Sequence, residues 1–130
     1  SAYSTLPART EGFIHGLANL RLPRFMAQRL ANQMIYQNYK VIADSEEGRK
    51  LADEVVDSSS MNDAIDRVIK GITQTGVQGM ISNRKAFRHG AEPLNVFCNY
   101  MATFCRQQAI CMHDETIIRN LEYFWINRSS

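Results

Sequence analysis

The chain has 130 residues, 45% hydrophobic and 22% charged, with a net charge of +2. That is ordinary globular material, long enough to bury a core without disulfide staples. No apolar run approaches the ~20 residues of a membrane-spanning helix. There is no charged-then-apolar leader at the start either, and Ser1 in place of Met fits initiator removal or processing.

Residues 1–9 read as an extended arm leading into a single helical domain over 1–130. A short helix is expected over 11–20, weakened by Gly12 and Gly16. Pro23 suits a first helical turn and opens a long helix over 23–43. On it Ala27, Leu30, Ala31, Met34, Val41 and Ile42 recur at helical spacing and face a core. Its other side carries Phe25, Arg29, Asn32, Tyr36, Tyr39 and Lys40, within roughly 100° of one another at 100° per residue. An apolar stripe backed by an aromatic and basic one predicts a helix that touches its own fold and a partner.

Ser45 is placed to cap a short helix with Glu46 and Glu47 in its first turn, its apolar side being Leu51, Ala52, Val55 and Val56. Ser60 and Asp63 resemble a capping box ahead of the stripe Met61, Ala64, Ile65, Val68, Ile69 and Ile72. Residues 75–90 are a frayed helix or a loop, because Gly76 and Gly79 disturb the pattern. Pro93 starts a helix with a wide apolar side: Leu94, Phe97, Cys98, Met101, Phe104, Cys105 and Met112. That breadth predicts the central helix of the fold. Asp114 is placed to cap a last helix with Ile117, Ile118, Leu121, Phe124 and Trp125 inward. Strand signals are nearly absent, so the expected class is all-α, a compact bundle of five to seven helices.

Three cysteines cannot all pair internally. Cys98 and Cys105 lie roughly 10 Å apart along a helix, too far for a bridge. Reduced, core-packed thiols in an intracellular, reducing compartment are the expectation, whether cytoplasm or viral particle. A mitochondrial setting has less support, although residues 1–43 carry five basic residues and one acid.

Signs of recognisable catalysis are few. No Gly-x-Ser-x-Gly elbow or phosphate loop occurs. Cys98, Cys105, Cys111 and His113 do not converge on one metal at helical spacing. Asp53 and Asp57 share a predicted helix face with Glu54 beside them, as a solvated acidic surface. Neither a metal nor a cofactor is implied.

Charge is uneven: net +4 over 1–43, −6 over 44–66, +5 over 67–90 and −1 thereafter. Arg84, Lys85, Arg88 and His89 cluster within six residues, suited to phosphate contacts. Phe25, Tyr36 and Tyr39 beside Arg29 and Lys40 could stack unpaired bases.

Thr103-Phe104-Cys105-Arg106-Gln107 and Arg119-Asn120-Leu121 resemble a helix rich in Cys, Arg and aromatics in the coat proteins of filamentous plant viruses. The resemblance implies a small helical coat subunit. The reading that follows is a non-enzymatic assembly subunit packing against copies of itself or other proteins through helix faces and opposite-sign patches. Two alternatives stand beside it. One is a coat or nucleocapsid subunit holding single-stranded RNA at Arg84, Lys85, Arg88 and His89. The other is an enzyme with a cryptic cysteine or carboxylate site.

Overall fold

Two glycines and one asparagine in the left-handed backbone region decide how the first third of the chain folds. They are Gly12 (φ 80°), Gly16 (φ 54°) and Asn38 (φ 53°), residue types that tolerate a conformation most side chains resist. The computed structural model describes residues 2–6 and 8–128, without the side chains of 9, 10 and 128. Among these residues are β1 (Tyr3–Ser4), α1 (Ala8–Glu11), α2 (Ala18–Phe25), α3 (Gln28–Gln37), β2 (Val41–Ile42), α4 (Met61–Thr73), α5 (Val77–Ala91), α6 (Leu94–Met112) and α7 (Glu115–Arg128), with two 3-10 turns at Gly48–Lys50 and Ser58–Ser60. The all-α class expected from sequence is the class observed.

The chain divides into two compact units, one drawn from Ser1–Asp53 and Tyr100–Ser130, the other Glu54–Asn99. In the first, Met26, Leu30, Ala31, Met34 and Val41 are buried together, with Leu6, Leu22 and Leu51 against them. The predicted core stripe thus holds at Leu30, Ala31, Met34 and Val41, while Ala27 and Ile42 are exposed.

The long helix expected over 23–43 is replaced by three elements. α2 already begins at Ala18 and carries Pro23 inside it, so Pro23 does not open the helix. Met26 is extended and turns inward as core, a residue the helical stripe had not selected. α3 then ends at Asn38, whose left-handed turn lets the Tyr39 N–H reach Gln33 O at 3.2 Å. Beyond it the chain straightens, and β2 pairs antiparallel with β1, Tyr3 opposite Ile42 and Ser4 opposite Val41.

The predicted arm is therefore held by its own chain over Tyr3–Ser4, with Ala43 N donating to Ala2 O at 2.9 Å. Residues 1 and 7 of that arm lie outside the described residues. The helix expected over 11–20 is likewise split, since Gly12 and Gly16 turn the backbone out of register. The turn lies against α6: Ile14 N donates to Gln108 Oε1 at 3.3 Å, and the Tyr100 hydroxyl donates to Gly16 O. Burial raises the Tyr100 pKa, which keeps that donor protonated.

Ser45 Oγ accepts from Gly48 N at 3.0 Å and donates to Ile42 O at 2.6 Å, but the short helix it was expected to cap is absent. A 3-10 turn at Gly48–Lys50 with Glu47 at its N-cap takes its place, and Asp53–Asp57 run on without helix, so Asp53 and Asp57 share no helix face. Gly48 is buried against backbone: a Cβ there would lie 2.1 Å from Ile42 O. Asp114 caps α7, its Oδ1 accepting from Thr116 N at 2.9 Å and Ile117 N at 3.2 Å.

In the second unit, α4 forms where the stripe predicted it, though Ser60 makes no side-chain cap bond. Ala64 is buried; Met61, Ile65, Val68, Ile69 and Ile72 are about half exposed. The stretch left open over 75–90 resolves into the regular helix Val77–Ala91, with Gly76 at its N-cap and Gly79 accommodated in its first turn. The expectation of a central α6 is overturned: none of its residues is buried, and its wide apolar side stays largely in contact with solvent.

Gly48→Ala should cost more than about 2 kcal/mol, because backbone carbonyls leave its methyl no room. Gly71→Ala, in α4 with open space around it, should gain roughly 0.5–1 kcal/mol. Thermal unfolding of both variants checks the contrast.

Candidate functional site

The six residues assigned to partner contact are all exposed, but they do not form one face. Phe25 is the last residue of α2, Arg29, Asn32 and Tyr36 lie on α3, and Tyr39 and Lys40 follow the Asn38 turn. Three of them hold their own chain. Asn32 Oδ1 accepts from Gln28 Nε2 at 2.9 Å. The Tyr39 hydroxyl donates to Glu47 at 3.0 Å, and that bond, with the carboxylate's charge, raises the Tyr39 pKa. Lys40 Nζ stands 4.7 Å from the centre of the Tyr3 ring, a cation–π distance. Phe25 and Tyr36 remain well exposed, at 56% and 68%.

The basic cluster fares differently, because α5 places it as a unit. Residues three and four apart are neighbours on a helix, so Arg84 sits beside Arg88 and Lys85 beside both Arg88 and His89. No acid occurs from Arg67 to Ala91. Among the described residues none of these four side chains, Arg84, Lys85, Arg88 or His89, makes an ion pair or hydrogen bond. Like charges at this spacing cost a helix a few tenths of a kcal/mol each. Arg88 regains part of that from the negative end of the helix dipole; Arg84 and Lys85, farther from the end, regain less.

Lys85, Arg88 and His89 line an open groove of about 420 Å³ together with Pro93, Leu94 and Asn95. On the other side of α5, Asn83, Ala86, Phe87, Gly90 and Ala91 line a second groove of about 340 Å³. Phe87 stands 74% exposed between Lys85 and Arg88 in sequence. The sequence reading missed it: with residues 75–90 left open between helix and loop, an aromatic inside the basic run had no face to belong to.

The cysteines also depart from expectation. Cys98 and Cys105 are exposed and Cys111 half-buried, all as free thiols. Among the described residues no three His, Cys, Asp or Glu side chains gather as a metal-ligand set. His113 Nδ1 lies 2.8 Å from Ala109 O. A carbonyl can only accept, so that nitrogen carries the proton. In the second unit Arg67 pairs with Glu54 at 2.6 Å, and that hydrogen bond chiefly holds the Glu54 carboxyl below its ordinary range. No helix among the described residues is long and apolar enough to cross a membrane.

No family model matches the chain. It is similar to a (3,5-dihydroxyphenyl)acetyl-CoA 1,2-dioxygenase of Amycolatopsis orientalis, 38% identical over 117 residues. That stretch is 90% of this chain and 26% of the relative, so the chain spans about a quarter of the protein it matches. The finding overturns the non-enzymatic assembly subunit and, with it, the coat-like resemblance and the RNA-coat alternative: the relative is an enzyme.

Cys98 and Cys105 should react with a thiol reagent in the native state at nearly the rate of an unfolded peptide, with Cys111 slower. Fewer than two fast thiols contradicts their exposure. The Glu54 carboxyl should titrate below 4.5, its ordinary value, and return toward it in Arg67→Ala. Because the folded pKa is the lower one, the pair's contribution is complete above the unfolded value and disappears as pH falls through the folded one. A carbon-detected NMR titration reads both variants.

Proposed function

We propose that this chain is the helical counterpart of a stretch within an enzyme that oxygenates an arylacetyl coenzyme A thioester. The observation that carries this reading is the 38% identity maintained over nine-tenths of the chain. Similarity of that extent favours a shared fold for the matched stretch and a shared place in the enzyme. The named substrate of the relative, (3,5-dihydroxyphenyl)acetyl-CoA, pairs a phenolic ring with a strongly anionic carrier. To this chain we assign binding and shaping roles, since its surface supplies uncompensated cations and half-exposed apolar helix sides.

The same reading suits the uncovered apolar side of α4, which fits a helix that packs against further protein. Exposed free thiols at Cys98 and Cys105 fit a reducing compartment, which we propose as the setting.

A chimera tests the function. The 117 matched residues of the Amycolatopsis enzyme are replaced by those of this chain, and oxygen uptake is followed with (3,5-dihydroxyphenyl)acetyl-CoA. Activity within about tenfold of the parent, a loss of no more than about 1.4 kcal/mol at the transition state, is the expected result. A folded chimera that consumes no oxygen with this substrate refutes the proposal.

A further inference from the structure

We propose that the face of α5 formed by Phe87, Arg84, Arg88 and Lys85 binds the adenosine 3′,5′-bisphosphate end of a coenzyme A thioester. The cations hold the phosphates and the Phe87 ring lies under the purine. The inference rests on the functional reading above and names the part of the substrate this chain takes.

Around the helix, Phe87, Arg84, Arg88, Lys85 and His89 follow one another in that order, at about 100° per residue. They span an arc of about 200°, with Phe87 at one edge, the cations Arg84, Arg88 and Lys85 next to it, and His89 at the other edge. Each edge opens on a groove. Asn83, Ala86, Gly90 and Ala91 leave about 340 Å³ beside the Phe87 ring, and a Cβ added at Gly90 would meet nothing. A flat base therefore has space to stack on Phe87. At the other edge, Lys85, Arg88 and His89 border about 420 Å³ with Pro93, Leu94 and Asn95. Arg84 and Arg88 lie between the two, where a 3′-phosphate and a diphosphate attached to a stacked adenosine would fall.

The band is uncompensated as well as basic. Its cations make no ion pair or hydrogen bond among the described residues, and like charges one turn apart repel. An anion with several phosphates relieves that repulsion at once. Arginine adds planar, two-toothed contact with phosphate oxygens.

The dimensions favour one nucleotide over a polynucleotide. Tight binding to a strand needs cations that keep tracking the backbone. Here the basic run is confined to α5, and residues 44–66 carry a net −6. One exposed ring and three clustered cations, Arg84, Lys85 and Arg88, suit one base and its own phosphates.

Calorimetric titration of the full 130-residue chain with coenzyme A, dephospho-coenzyme A and a short single-stranded oligonucleotide tests the site. Coenzyme A should bind in a salt-dependent way, with dephospho-coenzyme A weaker because it lacks the 3′-phosphate. The pair Arg84→Ala and Arg88→Ala should weaken coenzyme A by at least about tenfold. Phe87→Ala should weaken it too, and Phe87→Tyr should restore it. Three results overturn the proposal: a chain that stays folded by circular dichroism and binds no coenzyme A, binding unchanged by the arginine pair, or an oligonucleotide bound more tightly than coenzyme A.

The chimera separates this proposal from the functional one. An active chimera whose KM for the thioester is unmoved by the arginine pair removes the α5 site alone. An inactive chimera removes the functional reading, while coenzyme A binding through Arg84 and Arg88 in the chain upholds the site.

Discussion

The turn at Asn38 is the constraint on which the first unit depends. A left-handed residue there stops α3, satisfies the free end of the helix through Gln33 O, and sends the chain straight into β2. Without it α3 would run on, and Val41 would point along a helix instead of into the cluster with Met26, Leu30, Ala31 and Met34. The same reversal brings β2 beside β1, so the beginning of the chain is tied down by backbone hydrogen bonds. Gly48 then packs against the carbonyls of Ile42 and Ala43, so the segment after β2 lies close enough for Ser45 to hold both sides of the bend. One backbone conformation thus links helix end, strand pairing and core.

The second unit follows a different logic. α4 and α5 are regular helices, yet of their residues only Ala64 is buried. Their order comes from local hydrogen bonding, and the Arg67–Glu54 pair adds one contact from the segment ahead of α4. Lone helices of this length are marginal in water and draw most of their stability from packing. The apolar side of α4 is thus left about half exposed, and the basic residues of α5 stand exposed on a helix with no buried residue. The binding role proposed above would make use of both.

That a non-enzymatic subunit was expected from the sequence has a physical root. An amphipathic helix face reads the same whether it will meet another copy, another part of an enzyme or a ligand. Nothing in residue spacing distinguishes these, since all three ask for apolar or charged residues at helical period. The absence of a nucleophile elbow or metal motif was weak ground for excluding catalysis. A chain can serve an enzyme by binding substrate or shaping its site without carrying a recognisable reacting group.

Local pattern decided whatever depended on neighbours in sequence. The helical class, the stripe of α4, the cap at Asp114 and the core positions Leu30, Ala31 and Met34 were legible because periodicity and capping act over a few residues, whereas Val41 is buried from β2 and not from the helix that periodicity had placed it on. So was the basic cluster at 84–89, by composition alone, but neither its face nor Phe87's place in it. Those needed Gly76 to be seen as a helix boundary and not a helix defect. The break at Met26, the pairing of Tyr3 with Ile42, and the exposure of Cys98 and Cys105 were settled in three dimensions. Each depends on which distant segment arrives to cover a residue or bond its backbone, and burial is a property of the neighbours as much as of the side chain.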